Sequence, residues 1–148
     1  MGVSFTSDQL TKLWVATVLE TLPQVLVPGL LELRLTVNRG MALGLMTGNT
    51  IATLLLPVVA ILVWTAVFRR YHATTYKHVA CALMLGGFLG NFLDRILRGY
   101  VVDMLYFPFL PWFICNVADI VICTGVVLLA ISLLFRPADW REKHAKAD

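Results

Sequence analysis

From Asn49 to Phe68 the chain reads NTIATLLLPVVAILVWTAVF, without one charged residue. That is the length of helix, about twenty residues, needed to cross the hydrocarbon core of a bilayer. The surroundings are equally lean, because from Gly40 to Leu93 the only charges are Arg69, Arg70 and Lys77. Across the 148 residues 59% are hydrophobic and 14% charged, against roughly 45–50% and 25% in soluble domains. Seven of the charges crowd into the stretch from Arg136 to Asp148, so the body of the chain is poorer still. This composition excludes a disordered chain and argues against a soluble enzyme.

The length allows one membrane domain, 1–148, of four spans. Val117 to Phe135 is apolar throughout but for Asp119, and Lys77 to Leu93 extends through Asp94 to Ile96. Val3 to Leu19 supplies a fourth span despite Asp8, Gln9 and Lys12. The expected spans are therefore 3–19, 49–68, 77–96 and 117–135. Cytoplasmic loops collect Lys and Arg, which places Arg69, Arg70, Lys77 and the basic tail 136–148 in the cytoplasm with both termini. Segments 21–48 and 97–116 then share the outer side. With no Lys or Arg in the first seven residues, a cleaved signal peptide is not expected. Gly86 and Gly90, like Gly40, Gly44 and Gly48, allow close approach of neighbouring segments, and Pro57 predicts a kink. Cys81, Cys115 and Cys123 form no CxxC pattern and read as small core hydrophobes. A net charge of +3, with no basic and aromatic interleaving, gives no support for nucleic-acid binding.

Ionisable residues at membrane depth are costly and need partners or a wet site. Asp8 and Lys12 stand at i and i+4, either a self-neutralising pair or a brace for a polar site. Asn91, Asp94 and Arg95 share one helix face, either as a headgroup-level cluster or as part of that site. Asp103 follows the extended-looking Gly99-Tyr100-Val101-Val102, and Asp119 opens the last span with Asn116 three residues before it. Each acid alone reads as a cap or first-turn acid. Together they reach one outer boundary, and no Lys or Arg lies between Gly99 and Phe135 to neutralise either. Paired carboxylates sharing a proton serve as base to a water and acid to a carbonyl, the chemistry of aspartyl peptide hydrolysis. Ser4, Ser7 and Ser132 have no neighbouring His, and neither a Ser-His-Asp nor a zinc site is suggested. A proton or cation relay is the competing use of such acids, disfavoured by their position at a boundary.

DQLTK at Asp8–Lys12, VNRGMALG at Val37–Gly44, LGGFLGNFLDRILRGYVVDML from Leu85 to Leu105 and CNVADIVICTG from Cys115 to Gly125 together resemble the lipoprotein signal peptidase family, or signal peptidase II. The resemblance implies an all-α integral membrane protein of four transmembrane helices with a small extracytoplasmic β-like subdomain. It implies an aspartic endopeptidase of the bacterial inner membrane that removes signal peptides from diacylglyceryl-modified prolipoproteins, working without a cofactor. Asp103 and Asp119 match the catalytic pair; Asn38, Gly40, Asn91, Arg95 and Asn116 match site-shaping positions; Asp8, Lys12 and Asp94 match structural polar positions. Expected partners are lipidated prolipoproteins, membrane lipids and globomycin-type inhibitors, with the chain a monomer. The stretch before Asp8 is short for the family, and Met41-Ala42-Leu43, Met104 and Cys115 depart from its usual residues, changes expected to alter substrate fit. The alternative is an impaired four-helix protein that binds lipidated peptides without cutting them.

Overall fold

The computed structural model describes residues 1–18, 23–40, 49–71 and 74–141. The elements in order are α1 (Gly2–Val18), β1 (Gln24–Val27), β2 (Leu31–Asn38), α2 (Thr50–Phe68), α3 (Thr75–Arg98), β3 (Val101–Tyr106), β4 (Ile114–Cys115) and α4 (Val117–Phe135), then a 3-10 turn at Pro137–Trp140. Gly44, Gly48, Met41-Ala42-Leu43, Leu19 and most of the basic tail lie outside the described residues.

The expected β-like part is a true four-stranded sheet, so the fold is helical with a sheet and not all-α. The strands form a single antiparallel sheet in the order β1-β2-β3-β4, and half of it comes from the segment between α3 and α4. Register is set by Thr36 opposite Asp103, Val37 opposite Val102 and Asn38 opposite Val101, with a bulge between Leu33 and Thr36. Alternation along β3 turns Val102 and Met104 into a core with Leu33 and Val15 of α1, which leaves Asp103 between them for other work. The tip joining β1 to β2 uses Gly29 at φ 71, a conformation glycine adopts without penalty.

Apolar side chains lie outside and polar ones inside, the reverse of a soluble protein. Ile51, Leu62, Val63, Leu134 and Phe135 are exposed, while Asp8, Lys12, Asp94, Asn116 and Ser132 are each 0% exposed. Among the described residues, α3 and α4 are long and apolar enough to cross a membrane, and α2 adds the shorter apolar run Ile51–Ala66.

Helix α3 is the hub, and its glycines divide the work. A Cβ on Gly86 or Gly90 would strike α1, at Ser4 Cβ and at Asp8 Oδ2 respectively. A Cβ on Gly87 would stand 2.5 Å from the Ala118 carbonyl of α4, and one on Gly125 of α4 would stand 2.6 Å from the Ala80 carbonyl of α3. The spacing at 86 and 90 therefore serves α1, while Gly87 and Gly125 close α3 against α4. Gly99 ends α3 at φ 75, its N–H donating to the Arg95 carbonyl.

Lys77 is not a loop charge. It lies buried in the first turn of α3, donates to the Asp139 carbonyl, and stands over the rings of Trp140, Phe68 and Tyr71 at 5.2, 5.5 and 5.8 Å. Trp140 Nε1 and Asp139 Oδ2 both meet the Ser132 hydroxyl. The turn after α4 thus clasps the ends of α2, α3 and α4 around one ammonium. Cys115 is buried as expected, whereas Cys123 is exposed.

The Ala118 carbonyl facing Gly87 is backbone and has no rotamer with which to yield. Gly87→Ala should therefore lower stability by about 1–3 kcal/mol, read as a lower Tm in detergent. An unchanged or higher Tm would show that α3 and α4 are not held this closely.

Candidate active site

The start of α4 is covered by protein, Asn116 and Ala118 being fully buried, so its first N–H groups need protein acceptors. Asn116 and Asp119 meet this with a reciprocal cap. The Asp119 N–H donates to Asn116 Oδ1 at 3.0 Å, and the Asn116 N–H donates to Asp119 Oδ2 at 3.1 Å. The next donor, the Ala118 N–H, reaches Asp8 Oδ1 of α1 at 3.0 Å. The first-turn reading of Asp119 is thus correct as far as it goes, and leaves its other oxygen free to accept from Asn91 Nδ2 at 2.9 Å.

Asp103 arrives from β3, 2% exposed. Asn38, at the end of β2, donates to its Oδ2 at 2.8 Å, and Asn116 Nδ2 donates to its Oδ1 at 2.6 Å. One residue therefore bonds both acids: Asn116 serves Asp119 through its backbone N–H and Asp103 through its side chain. Burial raises the Asp103 pKa from the usual carboxylate value to about 6, and the negative charge of Asp119 adds to the rise. Donation from Asn38 and Asn116, and the charge of Lys12, act the other way.

Behind the two acids lies a fully buried ion cluster. Lys12 pairs with Asp8 and Asp94, each at 2.8 Å, and donates to Asn91 Oδ1 at 2.9 Å. Both readings of Asp8 and Lys12 hold at once: they pair with each other, and they brace the site. Asn91 and Asp94 are buried members of that site, not a solvated cluster at headgroup level. Arg95 turns aside, donating to the Asn91 and Gly40 carbonyls at 3.1 and 2.9 Å. The Gly40 N–H in turn donates to Asn38 Oδ1 at 2.9 Å, so the turn at 38–40 is tied to α3 and aims Asn38 at Asp103.

All ten residues singled out in the sequence thus fall in one network. Gln9 belongs to it as well, donating to Asp8, to the Gly90 carbonyl and to Asp94. Its place in DQLTK was the available signal. Met104 lies in the core beneath the sheet, so its departure from the family pattern bears on packing before substrate fit. Cys115 stands close enough to both acids for their charges, after burial, to push its thiol up to about 12. Among the described residues no cluster of His, Cys, Asp and Glu is arranged to hold a metal ion. Two apolar hollows line the α2–α3 seam, around Ile61 and Phe88, and neither contains Asp103 or Asp119.

A family model described as Signal peptidase (SPase) II matches residues 1–135. The chain belongs to the signal peptidase II family. Among its relatives, the lipoprotein signal peptidase of Lactobacillus johnsonii is 34% identical over 131 residues, 87% of this chain and 85% of that protein. The lipoprotein signal peptidase of Streptococcus agalactiae serotype Ia is 32% identical over 142 residues, 92% and 86% of the two chains. A bacterial membrane enzyme solved by the in meso method at 2.3 Å superimposes with a TM-score of 0.81 at 29% identity, over 97% of this chain and 90% of its own. A second, solved by the same method at 1.9 Å, gives 0.75 at 27% identity, over 90% and 89%. This family member is thus a peptidase, and its apolar helices fit a membrane protein.

The Asp103 carboxyl should carry its proton below about pH 6 and lose it above. In difference infrared spectra a protonated-carboxyl band should fade as pH rises through that value and be missing in Asp103→Asn. Because donation from Asn38 lowers this pKa, Asn38→Ala should move the fading to higher pH. A band unaffected by Asp103→Asn would show that the proton resides elsewhere.

Proposed function

We propose that the chain is an aspartic endopeptidase that spans the bacterial inner membrane four times and removes signal peptides from diacylglyceryl-modified prolipoproteins. Asp103 and Asp119 are its catalytic pair. The observation that carries this reading is the double role of Asn116, which bonds both carboxylates and so ties a strand acid to a helix acid. Asn38 and Asn91 supply the remaining donors, leaving the acids embedded in neutral amides that stabilise negative charge without adding a competing base.

In this arrangement one carboxylate takes a proton from water as its oxygen bonds to the scissile carbonyl carbon. The other carboxyl gives its proton to the carbonyl oxygen, forming a neutral gem-diol. Collapse returns a proton to one carboxylate, breaks the C–N bond and delivers the other proton to the leaving nitrogen, restoring the singly protonated pair. No covalent intermediate is required, which suits a site whose buried thiol, Cys115, is held protonated.

The single domain covers 1–148, with spans near 3–19, 49–68, 77–96 and 117–135 and both termini in the cytoplasm. Segments 21–48 and 97–116 then face outward, and the sheet they build stands over the outer membrane boundary beside the start of α4. Exposed Phe109 and Trp112, in the connection from β3 to β4, suit the interface where headgroups meet hydrocarbon. A lipid-modified substrate would remain in the membrane while its cleavage site reached the acids from the side.

Cleavage of a purified diacylglyceryl-prolipoprotein tests the reading. Asp103→Asn and Asp119→Asn should each lower the rate by about 10²–10⁴-fold, the usual contribution of a positioned acid or base, with the protein still folded in detergent. Turnover near wild type in both variants would overturn it, and retention of the lipidated peptide without any cutting by the wild type would identify a binding protein.

A further inference from the structure

We infer that Lys12 is a positioning residue for the reaction: acting through Asn91, its ammonium fixes the direction of the amide network, so that donors face both acids and the shared proton rests on Asp103. The inference assumes the catalytic pair proposed above and assigns roles within it.

The argument begins with what each group is able to do. An ammonium offers three donors and no acceptor. Lys12 forms ion pairs with Asp8 Oδ2 and Asp94 Oδ2, each at 2.8 Å, and donates to Asn91 Oδ1 at 2.9 Å. Asn91 must therefore present its oxygen to Lys12, and its Nδ2 is left pointing at Asp119 Oδ1. The same Asn91 oxygen accepts from Asn116 Nδ2 at 3.0 Å. That turns Asn116 Oδ1 back to the Asp119 N–H and lets Asn116 Nδ2 also reach Asp103. An amide's direction is set by its partners, and here two groups that cannot accept fix the chain from its ends, the Lys12 ammonium at Asn91 and the Asp119 N–H at Asn116. With a neutral residue in place of Lys12, Asn91 Oδ1 would keep only the Asn116 donor, and the amide offered to Asp119 would lose the ammonium that orients and polarises it.

The two acids are not equivalent within this frame. Asp119 stands in the first turn of α4, partly exposed, where a helix end favours negative charge. It also receives the amide that Lys12 polarises. Asp103 sits on a strand with 2% exposure. Of the two, Asp119 is the carboxylate open to water and is placed to act on it as base, while the deeply buried Asp103 is placed to hold the shared proton and act as acid toward the carbonyl. The other charged or titratable groups around the pair are Asp8 from α1, Asp94 and Arg95 from α3 and Cys115 from β4, with the exposed Cys123 of α4 beyond Cys115. Arg98 of α3 lies behind, against Asp94. Glu32 and Arg34 of β2 pair with each other at the far end of the sheet.

The test compares kcat/KM against pH for wild type, Lys12→Met, Asn91→Ala and the double variant, on the purified diacylglyceryl-prolipoprotein. The acid limb reports ionisation of the coupled pair in the free enzyme. In Lys12→Met it should move to higher pH by about one unit, so that kcat/KM on that limb falls about tenfold. KM should change little. Asn91→Ala keeps Lys12 paired with both acids and should shift the limb in the same direction. If the effect passes through Asn91, the double variant should show no larger shift than the single ones. Lys12 variants with lower Tm but a wild-type limb, or shifts that add in the double variant, would overturn the inference. If Asp103→Asn and Asp119→Asn still cleave in the same assay, the catalytic pair itself is wrong. If those two are dead while the Lys12 and Asn91 limbs stay in place, only the present inference fails.

Discussion

The structure turns on one buried ammonium. Lys12 is wholly removed from solvent, and an ion so placed is tolerable only with each donor matched to an acceptor. The three acceptors come from α1 and α3, and the first of them, Asp8, also receives the Ala118 N–H that opens α4. One side chain thus fixes the relative depth and rotation of three helices. It can come so close only because Gly90 has no side chain, as a Cβ there would fall 2.5 Å from Asp8 Oδ2. Small residues for close approach and charges for specificity are two parts of a single device in a setting where lipid offers no hydrophobic drive between helices.

That device places one acid on a helix and the other on a strand. Asp119 is held by the capping geometry of α4, and Asp103 by the register of β3 between β2 and β4. Neither rides on a free loop, so the distance between them is set by regular elements, which favours a precise site. Asn116 closes the gap because it follows directly on β4 and caps α4. The hinge between the two frameworks is the residue that bonds both acids.

The helical plan was readable because lipid imposes it: uncharged runs of spanning length declare themselves, and α4 begins and ends at the expected residues, Val117 and Phe135. Spacing of three and four also brought out Asp8 with Lys12 and Asn91 with Asp94, since neighbours on a helix face are visible in order along the chain. Contacts between distant segments were not visible in that way. Nothing local in Asn38 announces Asp103, 65 residues away, and the strand pairing that joins them depends on short runs with weak periodicity. The same limit hid the clasp around Lys77, a residue whose charge suggested a cytoplasmic loop. Its partners Asp139 and Trp140 lie beyond the last apolar run, where composition reads only as a basic tail.

Cys115 sharpens the view of what the site can do. A buried thiol beside two acids invites comparison with nucleophilic cysteines, but those work because cations or helix ends stabilise the thiolate. Here burial and the charges of Asp119 and Asp103 drive the thiol up to about 12, so it stays protonated at neutral pH. The same two influences, burial and a neighbouring negative charge, raise Asp103 to about 6. One environment therefore silences the strongest intrinsic nucleophile nearby and keeps a carboxyl ready to give up its proton. On the proposed reading, a site built this way recruits water, and acid-base cleavage would follow from the field around the pair as much as from the identity of its two acids.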